Sequence, residues 1–239
     1  MESDATIRAR AARRAPAKSL QASLAAPGRR FIAEVKRASP SKGDIARDLD
    51  APAQAGAYQR GGAAAISVLT EPSHFHGSLD DLVAVAAIAT VPVLRKDFLV
   101  DPWQAWEARA SGADAALLIV RALPGDRLAR MYDALGEAGL EALVEVHDAP
   151  ELERALDLGA PLIGVNARNL TTLAVDLANI IALLPSIPSG VTAVAESGIS
   201  SLADVQRLAI AGARCFLVGE ALVRSGDPAR TLSEWSDGR

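Results

Sequence analysis

From Arg30 onward the apolar positions alternate between two rhythms. Short β-rich runs recur at 31–36 (FIAEVK), 64–70 (AAISVLT), 92–98 (PVLRKDF), 115–120 (AALLIV), 141–146 (EALVEV), 162–167 (LIGVNA), 192–198 (TAVAESG) and 215–220 (CFLVGE). Between them lie Ala- and Leu-rich stretches with helical spacing, such as 102–111, 125–138, 148–158 and 201–211, several opened by Asp or Ser and closed near Gly. Each interval is roughly 20 to 35 residues, the size of one strand, one helix and a return loop. About eight such units predict an α/β fold of the closed (β/α)8, or TIM-barrel, kind. An open doubly wound sheet fits less well, because neither of the glycine-rich loops that bind nucleotides in such sheets occurs. Nothing between 30 and 239 reads as a linker, so one barrel domain is expected there. Residues 1–29 form a basic, Ala/Arg-rich extension, expected to be partly helical and to lie against the barrel. Glu2 and Asp4 weigh against reading it as an organelle transit peptide.

The strand rhythm also isolates misfits. Side chains alternate along a strand, so Phe31, Ala33 and Val35 face one way while Ile32, Glu34 and Lys36 face the other. The same alternation turns Lys96, Glu145, Asn166 and Glu196 inward, each in the last few positions of its strand. Burying any one of these is costly without a partner, and each alone reads equally well as a satisfied structural charge. Together they converge from five strands on the carboxyl end of the barrel, where this fold carries its active sites. Three carboxylates and two ammonium groups in a partly dry mouth push their pKa values apart, as acid and base roles require. Glycines after the seventh and eighth runs, Gly198 and Gly219, with Ser197, suit a phosphate held by backbone N–H groups. The loop RASPSKGD adds Ser39, Ser41, Lys42 and Gly43 as a flexible polar lid. His74 and His76 beside Glu71 lack convincing further metal ligands in the sequence. His147 is read as helping Asp148 begin the fifth helix, outside the catalytic set.

Composition narrows the partners. The chain has 239 residues, 50% hydrophobic and 23% charged, which is enough for a sizeable core. Its formal charge of -4 and pI near 5.5 offer no basic field, so neither nucleic acid nor an anionic membrane is an expected partner. The single cysteine, Cys215, lies in an apolar run and reads as a buried thiol. No apolar run approaches the roughly 18 residues of a membrane span, and the amino terminus lacks a secretory apolar core. A cytoplasmic monomer acting on a small phosphorylated molecule is the expectation.

Seven ordered motifs sharpen it: AEVKRASPSKG, ISVLTE, PVLRKDF, VEVH, GVNARNL, AESGI and LVGEAL. Together, from about residue 31 to about residue 225, they resemble indole-3-glycerol phosphate synthase. The resemblance implies conversion of 1-(2-carboxyphenylamino)-1-deoxyribulose 5-phosphate to indole-3-glycerol phosphate, carbon dioxide and water, with no metal or cofactor. It further implies that Lys96 is the acid toward the sugar ketone, and that Glu145, Glu34 and Lys36 share the remaining proton transfers. Asn166, Arg168, Glu196 and Ser197 match positions that orient the substrate, Asn166 and Glu196 completing the catalytic set. Ser39, Gly198, Gly219 and Glu220 match the phosphate site, Glu220 through its backbone N–H. Phe98 and Leu117, with Phe75 and Ile119, are candidate walls for the aromatic ring or ordinary barrel packing. Family members commonly carry a longer amino-terminal helical segment that helps close the barrel mouth, and Trp103 and Trp106 stand where tyrosine-like residues are frequent. Two rivals differ in chemistry: a sugar-phosphate isomerase barrel would use Asp or Cys at strand ends, and a binding scaffold would need no paired Lys96 and Glu145.

Overall fold

A computed structural model of the chain describes residues 2–168 and 174–238. The Asn169 and Leu170 end of the motif GVNARNL lies outside the described residues. Eight strands close into a parallel barrel: β1 (Arg30–Val35), β2 (Ala65–Leu69), β3 (Val93–Lys96), β4 (Ala115–Ile119), β5 (Glu141–Val146), β6 (Leu162–Asn166), β7 (Thr192–Glu196) and β8 (Cys215–Val218). Each strand pairs with the next in sequence, and β8 returns to β1, with Phe31 opposite Phe216 and Ile32 opposite Leu217. The enclosing helices are α1 (Ala51–Arg60), α2 (Leu79–Ile88), α3 (Trp103–Ala110), α4 (Arg127–Glu137), α5 (Ala149–Asp157), α6 (Leu177–Leu183), α7 (Leu202–Ile210) and α8 (Pro228–Asp237). Six of them begin at a Ser or Asp, namely Asp50, Ser78, Asp148, Asp176, Ser201 and Asp227, whose side chain accepts a first-turn N–H. Helix starts were therefore readable in sequence to within a residue or two.

The alternation expected of β1 holds. Phe31, Ala33 and Val35 pack outward into the layer between barrel and helices, where Phe31 stacks on Phe216 at 5.2 Å between ring centroids. Ile32 points inward with Leu94, Leu117, Leu143, Val194 and Leu217 to fill the barrel axis. The third run is shorter than expected, ending at Lys96 instead of residue 98. Asp97 turns the chain there: its Oδ1 accepts the Phe98 N–H at 2.8 Å, while its Oδ2 is 2.9 Å from Arg95. Arg95 is buried and also lies 2.9 Å from Glu107 of α3, so the turn that carries Lys96 is fastened on both sides.

The amino-terminal extension contains two helices, Asp4–Ala12 and Leu20–Ala25, each capped by a serine side chain, Ser3 and Ser19. The first lies on α3, with Ile7 and Ala11 against Trp103 and Trp106 and the Arg8 guanidinium 4.1 Å above the Trp106 ring. The second does not reach the mouth, where its counterpart in the family is expected to help. Its Leu20 and Leu24, one turn apart, enter the bottom of the barrel beside Ile32, Ala65, Leu143 and Cys215. Glu141 at the foot of β5 holds the plug by accepting from Ser19 Oγ at 2.7 Å and Gln21 N at 2.8 Å. Among the described residues no helix is long and apolar enough to cross a membrane.

A plug at the bottom contributes stability without touching the mouth. Leu24→Ala should lower the free energy of unfolding by about 2–5 kcal/mol in urea titrations and leave KM for the substrate unchanged. A raised KM would place this helix in contact with the substrate.

Candidate active site

Above the apolar axis the inward positions turn polar. Glu34 of β1, Lys96 of β3, Glu145 of β5, Asn166 of β6 and Glu196 of β7 surround the floor of a cavity of about 890 Å3, whose rim includes Lys36, Arg168, Ser197, Gly198, Gly219 and Glu220. Phe98, Leu117, Phe75 and Ile119 line it as apolar wall, Phe98 standing half exposed on the rim. Ser39 is buried and set back from the wall, while its neighbours Ser41 and Lys42 line the cavity. The residues chosen by alternation thus meet in one place, while Ser39, expected from the lid loop, lies behind it.

The centre is the Lys96 ammonium. Its Nζ lies 3.0 Å from Glu196 Oε2 and 3.3 Å from Glu145 Oε2, and all three groups are nearly or wholly buried. Burial works against a charged lysine, but Glu196, Glu145 and Glu34 outweigh it and hold Lys96 protonated well above the ordinary lysine range. The two carboxylates compete for one cation and differ in what else they touch. Burial raises Glu145, yet Lys96, His147 and a hydrogen bond from Asn166 bring it below the usual carboxylate range. Glu196 has no comparable second support: neither oxygen has an aligned hydrogen-bond donor, and the lysine contact is an ion pair only. Burial and the neighbouring Glu145 charge push Glu196 above the usual carboxylate range, against the pull of Lys96.

A second pair stands beside the first. Lys36 Nζ is 3.5 Å from Glu34 Oε1 and 5.4 Å from the centre of the Phe75 ring. The lid loop carries a short piece of sheet. Ala38–Ser39 and Gly43–Asp44 pair as a short antiparallel ribbon, and Arg37 at its base is bound to Asp81 and the Leu49 carbonyl. Across the mouth, Arg168 donates to Ser41 Oγ at 2.7 Å, tying this ribbon to the end of β6. His76, from the HxH pair, faces Asp44 of the ribbon at 3.2 Å.

Three glycines make room for the constellation. Ser197 and Gly198, with φ of 66° and 76°, turn the chain sharply after β7 and present successive backbone N–H groups near the rim. At Gly219, expected only as a close approach for phosphate, an added Cβ would stand 2.7 Å from Glu34 Oε1, so this glycine also houses the acid. Gly164 was not singled out in sequence. It points inward in the middle of β6, opposite Glu145 in register, and an added Cβ would lie 2.0 Å from Glu196 Oε1. Its only sequence signal is a glycine inside a strand, which marks a close approach but not what approaches. For His147 the sequence favours a place in the helix start over the alternative, a ring pointing inward just above Glu145. Asp148 caps α5, and the His147 ring turns inward instead, 3.3 Å from Glu145.

Buried acids and ammonium groups gathered at the carboxyl end of eight parallel strands make this a (β/α)8-barrel enzyme. The model of one family, indole-3-glycerol phosphate synthase, matches residues 2–235. The indole-3-glycerol phosphate synthase of Mycolicibacterium gilvum is 52% identical over 230 residues, covering 96% of this chain and 85% of that one. That of a Nocardioides species is 58% identical over 203 residues, covering 85% and 78%. Among solved structures, 3-hexulose-6-phosphate synthase from Salmonella typhimurium superposes with a TM-score of 0.69 at 16% identity, covering 87% of this chain and 97% of that one. Thiamine phosphate pyrophosphorylase from Pyrococcus furiosus gives 0.68 at 15%, covering 92% and 97%; at these identities both show the fold alone. The chain belongs to the indole-3-glycerol phosphate synthase family, carboxy-lyases of tryptophan biosynthesis.

The close approach at β6 carries a test. In Gly164→Ala the new methyl meets the far end of a flexible side chain, so the barrel should fold while Glu196 swings off Lys96. We expect kcat to fall by roughly 10- to 100-fold with little loss of thermal stability. Wild-type kcat in a folded Gly164→Ala protein would show that the Glu196 position does not matter.

Proposed function

We propose that the mouth closes and aromatises an indole ring by dividing the proton transfers between its two buried charge clusters. The substrate is 1-(2-carboxyphenylamino)-1-deoxyribulose 5-phosphate. In the first step the ring carbon bearing the carboxylate attacks the sugar ketone, and negative charge grows on the ketone oxygen. Lys96 supplies the ammonium at that point, as donor to the oxygen as its charge develops. Its carboxylate neighbours hold its proton tightly, so electrostatic stabilisation comes first and proton delivery follows as the oxygen becomes basic. Carbon dioxide then leaves, which restores the aromatic ring and leaves a hydroxyl on the former ketone carbon.

That hydroxyl departs as water while a proton is lost from the new five-membered ring. Glu145, ionised and buried, is suited to accept the proton, and the Glu34 and Lys36 pair to donate toward the departing hydroxyl. Lys36 also faces the substrate carboxylate until it is expelled. Asn166, Arg168, Glu196 and Ser197 orient the sugar and the anthranilate, and Phe98 and Leu117 flank the ring. Backbone N–H groups of Gly198, Gly219 and Glu220, with the ribbon bearing Ser39 behind them, seat the phosphate. The same reading has the protein working as a monomer on a small phosphorylated molecule in the cytoplasm. The two amino-terminal helices belong to the same folding unit as the barrel.

The observation that carries this reading is the Lys96 ammonium held between Glu145 and Glu196 at the dry end of the cavity. Incubation of the pure protein with the substrate should release indole fluorescence, and its absence would reject the reading. The two lysines separate by when their charge is needed. Lys96→Ala should lower kcat by on the order of 10²–10⁴ with a smaller effect on substrate binding, because it acts on charge that appears only in the transition state. Lys36→Ala should weaken substrate binding as well as rate. Steady-state and single-turnover kinetics on both variants decide it: a Lys96→Ala enzyme with near-normal kcat moves the acid elsewhere.

A further inference from the structure

Behind Glu145, away from the cavity, lies a chain of charged groups that the reaction does not touch. The His147 ring is buried, with Nε2 3.3 Å from Glu145 Oε1 and Nδ1 3.0 Å from Glu151 Oε2. Glu151, in the first turn of α5, also accepts the His147 backbone N–H at 2.8 Å. Its other oxygen takes Arg121 Nε at 2.6 Å, and Arg121 Nη2 reaches Asp148 at 3.0 Å. From α6, Asn179 donates to the His147 carbonyl at 2.8 Å. The groups that face this imidazole are therefore Glu145 on its own strand and Glu151 on α5. Lys96 stands beyond the first, and Arg121 and Asp148 stand beyond the second.

Both ring nitrogens point at carboxylate oxygens. A neutral imidazole has one N–H and one lone pair, so one of these contacts would set a lone pair against a carboxylate. The doubly protonated ring removes that clash, with a hydrogen bond at Nδ1 and an ion-pair contact at Nε2. We propose that His147 is a positioning residue, an imidazolium clamped between Glu145 and Glu151 that keeps Glu145 charged and aimed at the mouth. It thereby lowers the cost of charging Glu145 relative to Glu196, which has no such neighbour. Burial opposes the charged ring, but Glu145 and Glu151 outweigh it and push His147 up to about 9. Glu151 and Arg121 reach from the clamp toward the surface and fix the far side of the ring. This inference rests on Glu145 serving as the proton acceptor.

Two measurements test it separately. In nitrogen-15 NMR of the ligand-free full chain labelled at histidine, His147 is identified by the resonance missing from His147→Gln. It should show both nitrogens protonated at pH 7 and titrate above pH 8, and in Glu151→Gln its midpoint should fall. A neutral tautomer at pH 7 overturns the clamp whatever the enzyme's activity. In kinetics, losing the cation raises the Glu145 pKa, so more of the base is protonated at a given pH. The acid limb of kcat/KM in His147→Gln should shift upward by about one pH unit, with activity largely recovered at higher pH. A residue that only packs would lower the rate equally at every pH, and an unmoved limb in the folded variant overturns the proposal. Failure of the wild-type enzyme to form indole-3-glycerol phosphate would instead reject the proposed reaction, while the NMR result still reports on the clamp.

Discussion

Everything in the mouth is arranged around one costly act, placing the Lys96 ammonium where water is scarce. A lone buried cation would shed its proton, and a single buried carboxylate beside it would neutralise it as an inert pair. Two carboxylates around one ammonium leave the group with charge it cannot balance internally. Glu145 and Glu196, buried around the same ammonium, each make it costlier for the other to ionise. The anionic substrate enters an environment already biased toward proton traffic.

The barrel supplies what that arrangement demands of a scaffold. Strand register sets Glu145 beside Gly164 and Asn166 beside Glu196, so the acids stand on rigid backbone and not on loops. Glycines at 164 and 219 clear the volume that the Glu196 and Glu34 carboxyl groups occupy. Below, leucine, isoleucine and valine side chains exclude water from the axis. To the side, Arg95 with Asp97 and Glu107 fixes the turn just past Lys96. The chemistry sits at the surface, yet each of its groups is held as firmly as a core residue.

Much of this was legible in the sequence because strand alternation is a local rule. Glu34, Lys96, Glu145, Asn166 and Glu196 announced themselves as charged or polar residues on inward phases of apolar strands, and helix caps marked the return segments. What stayed hidden depends on contacts between distant segments. Gly164 gained its meaning only from Glu196, thirty-two positions later on the neighbouring strand. His147 shares the inward phase of Glu145, but its second partner, Glu151, becomes a neighbour only when the chain turns from strand to helix. The ribbon at Ala38–Asp44 carries loop-like composition, and its order comes from Arg37 reaching Asp81 on α2. Leu20 and Leu24 showed an apolar face, but nothing local tells which end of a barrel that face will cover.

The plug has a consequence for the order in which the molecule comes into being. The helix Leu20–Ala25 precedes every barrel strand in the sequence, while its socket includes Cys215 and Leu217 on β8, with Cys215 Sγ 3.6 Å from the Leu24 carbonyl. Its leucines therefore have no complete burial site until β8 has been made and paired with β1. Contacts so far apart in sequence are slow to form, and the wait leaves apolar surface uncovered. The plug and the eighth strand complete each other's burial, so closing the ring of strands and seating the helix belong to one event in the making of the core.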